Sequence, residues 1–453
     1  MRSKSLSVLH YIQNSVFLRV VFIGFVIILL QIPISMINSQ INARQHTKLQ
    51  AVNDITTKWG RKQTIIAPRI IIPYTEITQW RDDKNKAQTS RVKRFVTFLP
   101  DHLSIQANTT SDVRKRGLFE VPLYQSTIIL SGSFSKPLLN HWGANPEHIH
   151  WEQGEMAIGL SDVRAIQKQV NVNWNKEIIA FEPGLGLSSI NNAPGLHAQL
   201  PSLNNSDNFD FTITLQINGS EGLFFAPMGK NSDIHIDSDW PHPSFQGYKL
   251  PSKRIIRDDG FSADWTVSHI SRSYPQQWLG NKYTISQFNR ALVGVDFNSP
   301  VDSYRMTDRS SKYVMLFLLL TFMVIWLIEV LTKIRVHLLQ YLFIGLSMCI
   351  FYLLLLALSE HIGFSWAYSV ASLSVIILCA GYAKAVLKTR QNAFIIGGSI
   401  ATLYVYLFTL LHDQSYSLLF GSLGVFIGLA VVMYTTRNID WYNLVSVDKD
   451  ISE

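Results

Sequence analysis

The chain has 453 residues and a net charge of +8; 47% of its residues are hydrophobic and only 16% are charged. Soluble domains have about 25% charged residues, so this composition excludes a wholly soluble protein. Nucleic acid is not expected as a partner, because much of the basic charge lies beside apolar segments and no basic patch with stacking aromatic residues is present. Cys349 and Cys379 both fall in apolar segments, so the polar part of the chain has no disulfide and no thiol-based active site.

The N-terminal segment predicts a membrane anchor. Residues 1–19 are polar and basic, and residues 20–37 form an apolar run. This run is long for the core of a signal peptide, and no small-residue cleavage site follows it, which favours a retained helix over a cleaved signal. We therefore predict a cytoplasmic N-terminus at residues 1–19 and a first transmembrane helix at residues 20–37.

Residues 38–311 are predicted to form a β-rich domain. In residues 209–218, FDFTITLQIN, every second residue is apolar, which is the period of a strand with one buried face. A helix is expected at residues 48–60. Further strands are predicted at residues 64–74, 91–99, 104–107, 123–134, 155–160, 167–173, 178–181, 234–238 and 263–269. The pattern favours a sandwich or a pair of packed antiparallel sheets.

A block of apolar segments occupies residues 312–435, before a cytoplasmic tail at residues 436–453. The predicted spans are residues 313–331, 338–358, 363–383, 393–411 and 416–434, each long enough to cross a bilayer core of about 30 Å. The expected fold is therefore a membrane protein with six transmembrane α-helices, one N-terminal and five C-terminal. Its large β-rich domain is inserted between helices 1 and 2, and the lipid bilayer is its expected partner.

The short loops predict the orientation of these helices. The loops at residues 359–362 and 412–415 contain neither Lys nor Arg. The alternate loops and the segment after the last helix carry basic residues, namely Lys333, Arg335, Lys384, Lys388, Arg390 and Arg437. The positive-inside rule then places both termini in the cytoplasm and the β-rich domain on the other side of the membrane.

No nucleotide-binding or hydrolase motif is present: the sequence lacks a P-loop, a G-x-S-x-G elbow and an H-E-x-x-H pair. His148 and His150 would share one face of a strand, a spacing that suits two metal ligands, but no third ligand is evident nearby and two surface histidines are favoured. No cofactor is therefore expected.

Four polar residues lie in loops on the external, non-cytoplasmic side of the predicted helix block. Glu360 and His361 are in one loop, and His412 and Asp413 are in another. If they converge, carboxylates beside imidazoles suit metal binding or proton transfer, although polar residues in short turns are ordinary.

Two further candidates lie toward the cytoplasmic side. Glu329 is near the end of the second predicted helix, and Gln340 is near the start of the third. An ionisable residue within a span is a functional candidate, but an ion pair of Glu329 with Lys333 at i, i+4 is an equal alternative.

The segment DWPHPSF, which includes Trp240 and His242, has two prolines that fix φ. A structural corner is favoured there, with a periplasmic recognition loop as the alternative.

Several strings identify a family resemblance. They are WG at residues 59–60, AP at 67–68, IPY at 72–74, RKRGLF at 114–119, SDWPHPSF at 238–245, LPSKR at 250–254, TDRSSKY at 307–313, FYLLLLALSEH at 351–361 and TRNIDWY at 436–442. Over nearly its whole length the chain resembles the CreD family of inner-membrane proteins of Gram-negative bacteria. The family usually has Gly-Pro where this chain has Ala67-Pro68, which puts the local turn in doubt because alanine adopts positive φ only at a cost.

The resemblance implies a multi-pass inner-membrane protein linked to cell-envelope integrity, colicin tolerance and β-lactam response, within a two-component regulon. It implies no catalytic residue, so the favoured hypothesis is a non-enzymatic protein whose periplasmic domain binds an envelope protein, glycan or lipid. One alternative is a transporter or lipid-handling protein that uses the polar residues of the helix block. Another is a metal-dependent membrane hydrolase.

Overall fold

The structure is a computed structural model. It describes residues 16–81, 87–136, 149–188, 194–201, 203, 206–280, 283, 285–297, 303–332, 336–387, 390–412 and 416–437. They form two compact units, a helical unit within Met1–Leu49 and Val301–Glu453 and a β unit within Gln50–Pro300.

The helices that belong to the helical unit, or begin in it, are numbered here in chain order. They are α1 (Val16–Leu29), α2 (Gln31–Trp59), α3 (Ser303–Ser311), α4 (Val314–Thr332), α5 (Leu338–Ile362), α6 (Phe364–Leu387), α7 (Arg390–His412) and α8 (Ser417–Thr436).

The prediction of six membrane helices, one N-terminal and five C-terminal, is confirmed. Among the described residues, five helices are long and apolar enough to span a membrane, and α3 with α4, bent by 47°, makes a sixth if the pair is one span. The helix expected at residues 48–60 is not separate from the anchor, because α1 and α2 form one helix of 41 residues, Arg19–Trp59. Pro33 does not end this helix, since it lies in the first turn of α2, where a proline needs to donate no hydrogen bond.

One buried cluster holds the helical unit together. It combines residues of α1, α4, α5, α6 and α7, among them Phe322, Phe351 and Tyr404. Close approach depends on small residues: a Cβ added to Gly345 of α5 would lie 2.3 Å from a methyl group of Leu30. In a bilayer, where apolar burial drives little association, such contacts supply the van der Waals packing between helices.

The β unit contains 17 strands among the described residues. They are β1 (Gln63–Arg81), β2 (Ala87–Phe98), β3 (His102–Arg116), β4 (Phe119–Ser135), β5 (Glu155–Leu160), β6 (Asn171–Trp174), β7 (Glu177–Ala180), β8 (Glu182–Pro183), β9 (Gly195–Gln199), β10 (Asn208–Ser220), β11 (Gly222–Ala226), β12 (Asn231–Ser238), β13 (Pro243–Gly247), β14 (Lys253–Arg257), β15 (Gly260–Ser268), β16 (Gln277–Leu279) and β17 (Val293–Phe297). A four-residue helix, Ile285–Phe288, precedes β17.

The strands form two sheets. Sheet A has the order β13-β17-β11-β1-β5-β9-β8, with β2 beside β1 and β16 beside β2. Sheet B has the order β14-β15-β12-β3-β4-β10-β6-β7. The inner faces of both sheets contribute to one hydrophobic core, which gives the predicted sandwich. The expectation that both sheets are antiparallel is wrong at two places. β1 pairs with β11 in parallel, and β12 pairs with β3 in parallel.

The alternating pattern located its strand well. The five apolar residues of the FDFTITLQIN segment are all buried, namely Phe209, Phe211, Ile213, Leu215 and Ile217. Strands without alternation were missed, among them β11, whose five residues are all buried between β1 and β17. The strand expected at residues 167–173 is instead β6, four residues further along, and only Ile166 makes an isolated bridge before it.

Ala67-Pro68 lies at an irregularity of β1. The register of β1 against β5 shifts between Ile66 and Arg69, so the proline, which has no N–H, falls where the ladder is already interrupted. Ala67 is fully buried and is not among the residues with positive φ. The doubt about this turn is therefore resolved, because alanine fits without left-handed backbone.

The end of α2 depends on Gly60. Its φ is +143°, and a Cβ there would lie 2.7 Å from the backbone oxygen of Asn218 in β10. Glycine is the residue that permits both this conformation and this approach.

We therefore expect Gly60→Ala to lower the stability of the chain, by more than about 2 kcal/mol, because backbone strain and a backbone clash add. The matched control is Gly117→Ala, at φ +60° with nothing within 4 Å of the added Cβ, which should cost only about 1–2 kcal/mol. Thermal unfolding of the detergent-solubilised full chain measures both, and equal losses would contradict the packing of Gly60 on β10.

Candidate functional site

Glu329 of α4 joins three helices within the helical unit. This residue is 5% exposed, and its carboxylate forms an ion pair with Arg19 of α1. It also accepts a hydrogen bond from the Tyr341 hydroxyl of α5 at 3.0 Å and from the Val336 backbone N–H at 3.1 Å. A carboxylate in a membrane helix needs such compensation, because an unpaired charge there is costly.

The ion-pair partner of Glu329 in the structure is Arg19, 310 residues away. Lys333, the local partner that the sequence offered as an alternative, lies outside the described residues. Gln340 makes a cap at the start of α5: its Oε1 accepts from the His337 N–H at 2.8 Å, and His337 Nδ1 accepts from the Leu339 N–H at 3.3 Å. These bonds satisfy backbone N–H groups at the start of α5, so Gln340 stabilises the end of a helix.

Glu360, at the other end of α5, contacts residues outside the predicted cluster. It accepts a hydrogen bond from the Tyr304 hydroxyl of α3 at 2.8 Å, and Arg44 Nε lies 3.7 Å from its carboxylate. His361 and His412 are exposed, and the His412 ring stacks on Phe408. Asp413 lies outside the described residues. Within the described ranges, no group of three or more His, Cys, Asp or Glu side chains is arranged to hold a metal ion.

Trp240 and His242 lie in the crossover from β12 in sheet B to β13 in sheet A. Trp240 is 9% exposed, and its ring meets that of Phe297 of β17 edge-on at 6.4 Å. His242 is exposed. The segment is thus a corner between the sheets, as its prolines suggested. Of the two histidines weighed as a metal pair, His148 lies outside the described residues, and His150 Nε2 is 2.9 Å from the Thr75 hydroxyl.

Sequence reasoning missed an acid–histidine cluster on the outer face of sheet B. His235 of β12 lies between two carboxylates, with Nδ1 2.6 Å from Asp264 Oδ1 and Nε2 2.5 Å from Asp237 Oδ2. The hydrogen bond to Asp264 is the main reason that the pKa of His235 is raised above its usual value, and Asp237 adds to the shift. The string DIHID at residues 233–237 carried the signal, because strand alternation puts its three polar residues on one face.

His235 belongs to a row of side chains that runs across sheet B. The registers of β14, β15, β12, β3, β4 and β10 place six residues side by side, namely Lys253, Asp264, His235, Gln106, Ile129 and Thr214. A groove of 400 Å³ lies at the His235 end, and one of 390 Å³, lined by Asn171, Asn173 and Thr212, lies on the same face beyond β10. This outer face of sheet B is polar and recessed.

Comparison with known proteins gives the family. The profile of the family described as inner membrane protein CreD matches residues 15–442. A relative named inner membrane protein CreD, from Escherichia coli strain K12, is 33% identical over 435 residues, which cover 95% of each chain. The chain belongs to the CreD family.

Residues in two of the strings that resemble CreD proteins make contacts between helices and strands of this chain. In RKRGLF, which makes the turn between β3 and β4, Arg114 lies over the Trp59 ring at 3.9 Å and Arg116 pairs with Asp54. In FYLLLLALSEH, Phe351 is fully buried and Glu360 forms the contacts described above. In these two strings, the residues named therefore contact neighbouring helices and strands.

Substitution of Glu329 tests whether it acts as a structural link. Glu329→Ala should destabilise the CreD-family chain by about 3–5 kcal/mol, because it breaks a largely buried ion pair together with two hydrogen bonds to the same carboxylate. Tyr341→Phe removes one hydrogen bond to that carboxylate and should cost about 1.5–3 kcal/mol. Thermal unfolding of the full chain in detergent measures both, and a wild-type melting temperature for Glu329→Ala would disprove the link.

The titration of His235 tests the acid–histidine cluster. A raised pKa means that the contacts of His235 stabilise the folded chain fully below its unfolded pKa of about 6.5, and that this contribution is lost as pH rises through the folded pKa. The modification of His235 by diethylpyrocarbonate, followed by mass spectrometry across pH, should therefore have a midpoint above about 6.5.

Asp264→Asn should lower that midpoint more than Asp237→Asn, since the bond to Asp264 contributes most to the shift. A wild-type midpoint at the ordinary value, or one that neither substitution changes, would show that the carboxylates do not act on His235.

Proposed function

We propose that this CreD-family protein is a non-enzymatic inner-membrane protein that supports cell-envelope integrity. In this proposal both termini are cytoplasmic, the β unit is periplasmic, and the outer face of sheet B binds an envelope component. The observation that carries it is a recessed, polar sheet face on a large domain inserted between the first membrane helix and the rest.

The proposed orientation rests on charge at the ends of the helices. Lys384 near the end of α6, Arg390 at the start of α7 and Arg437 after α8 are basic, whereas the opposite turns carry no Lys or Arg. Cytoplasmic loops of inner-membrane proteins carry this excess.

The chemistry of the outer face favours a polar partner. Five of the six side chains in the row across sheet B are polar or charged, and Ile129 is 38% exposed. A glycan or a polar protein surface matches such amide, hydroxyl and carboxylate groups through hydrogen bonds, whereas an acyl chain would leave them unsatisfied.

The alternative of a transporter receives less support from the helical unit. A transport or proton-relay site needs a group that exchanges partners, but Glu329 is buried with three partners in place. Gln340 is occupied by the start of α5. These contacts favour a structural role for both.

Crosslinking in cells tests the proposal. The two native cysteines are buried in the helical unit, so Thr214→Cys provides an accessible thiol on the outer face of sheet B. We expect a membrane-impermeant maleimide to label it from the periplasm, and a thiol-linked photocrosslinker placed there to capture a periplasmic protein or a glycan.

Arg91→Cys, exposed on β2 of sheet A, is the matched control and should be labelled equally but capture less. Absence of labelling in intact cells would refute the orientation. Equal capture from both positions, or capture of lipid alone, would refute a polar partner on sheet B.

A further inference from the structure

A groove lies between α6 and α7, within the helical unit. It has a volume of 710 Å³, within the range of about 300–1,000 Å³ typical of ligand sites. Most of its lining is apolar, and Lys384 and Arg390 are the charged residues among the described residues that line it. The groove therefore combines an apolar surface with two cationic side chains.

The cations lie at one end of this groove. Lys384 is near the C-terminus of α6, Arg390 is the first residue of α7, and both side chains are exposed. Gly398 of α7 follows Arg390 by eight residues, about 12 Å along the helix, so the groove runs from the membrane interface to near the middle of the bilayer core.

Glycines keep the groove open where larger side chains would fill it. A Cβ added to Gly381 or to Gly398 would meet nothing within 4 Å. At the neighbouring Gly397 it would lie 2.9 Å from the Cβ of Ala380, so α6 and α7 approach each other closely at that position. Gly397 therefore serves helix packing, whereas Gly381 and Gly398 border open space.

We propose that this groove binds one anionic phospholipid. The phosphate of the lipid lies between Lys384 and Arg390, and an acyl chain lies along Gly381 and Gly398. Basic pockets between membrane helices suit anionic headgroups, because cation and phosphate attract near the interface while the chain fills apolar space. A neutral phospholipid with the same chains gains less from these cations. This lipid site is independent of the proposed partner of sheet B.

Native mass spectrometry of the purified full chain tests the site. The delipidated protein in a neutral detergent is titrated with dioleoyl phosphatidylglycerol or dioleoyl phosphatidylethanolamine, and bound lipid is counted. The wild type should retain phosphatidylglycerol preferentially. Loss of one cation should weaken that binding about fivefold, and the double variant Lys384→Gln/Arg390→Gln about thirtyfold.

A second variant tests the apolar part without changing charge. Gly381→Leu/Gly398→Leu fills the groove and should abolish the retained phosphatidylglycerol. The matched controls are Arg437→Gln, a cation that lies over the Tyr434 ring outside the groove, and Gly421→Leu, where an added Cβ also meets nothing within 4 Å. Both controls should bind lipid as the wild type does.

The charge variants remove no packed side chain, so their result decides the proposal if the leucine variants fold poorly. Equal retention of the two lipids by the wild type would overturn it. So would a phosphatidylglycerol preference that survives Lys384→Gln/Arg390→Gln, or one that Arg437→Gln reduces equally, because the attraction would then be a general property of the basic surface.

Discussion

The need to compensate the buried negative charge of Glu329 is the constraint on which the helical unit depends. A carboxylate in an apolar helix is tolerated only with partners, and here they come from α1, from the segment that precedes α5, and from α5 itself. The pairing with Arg19 joins the first helix to a block that begins nearly 300 residues later in the chain. Besides this pair and the contact of Arg44 with Glu360, the first membrane helix meets the block mainly through apolar contacts, which lipid tails replace at little cost.

In the β unit, the buried Arg272 is held by hydrogen bonds in a comparable way. Arg272 is 9% exposed; its guanidinium donates to the Met228 carbonyl at 2.7 Å and to the side chain of Gln276. Gln276 donates in turn to the Pro100 carbonyl at 2.8 Å. Burial lowers the pKa of Arg272, but its neighbours keep it hydrogen-bonded. These hydrogen bonds join three segments that lie outside the strands, at Pro100, at Met228 and at residues 272–276.

The sequence predicted the features that repeat locally. Apolar runs located the membrane helices found in the described part of the chain, and alternation located β10, because both patterns lie within one segment. The fully buried strand β11 gave no period to detect. Arg19 was not considered as a partner of Glu329 for a related reason: a local pattern points only to Lys333, four residues ahead, whereas the pairing with Arg19 depends on tertiary packing. The contact of His235 with Asp237 could have been predicted, since alternation in DIHID places both side chains on one face of the strand. The contact with Asp264 could not, because Asp264 lies on another strand.

The last helix shows how a membrane segment without buried residues still has a defined contact face. No residue of α8 is buried, yet a Cβ at Gly424 would overlap the Tyr406 ring of α7, and one at Gly428 would touch Leu320 of α4. Two glycines four residues apart make one narrow face of α8, and the Tyr406 hydroxyl donates to the Phe420 carbonyl on it. The open groove between α6 and α7 differs from this contact, because there Gly381 and Gly398 face space rather than a ring. Glycine thus has two roles in the helical unit. Gly424 and Gly428 allow a neighbouring side chain to pack against the helix backbone, whereas Gly381 and Gly398 leave open the groove that we propose for a lipid.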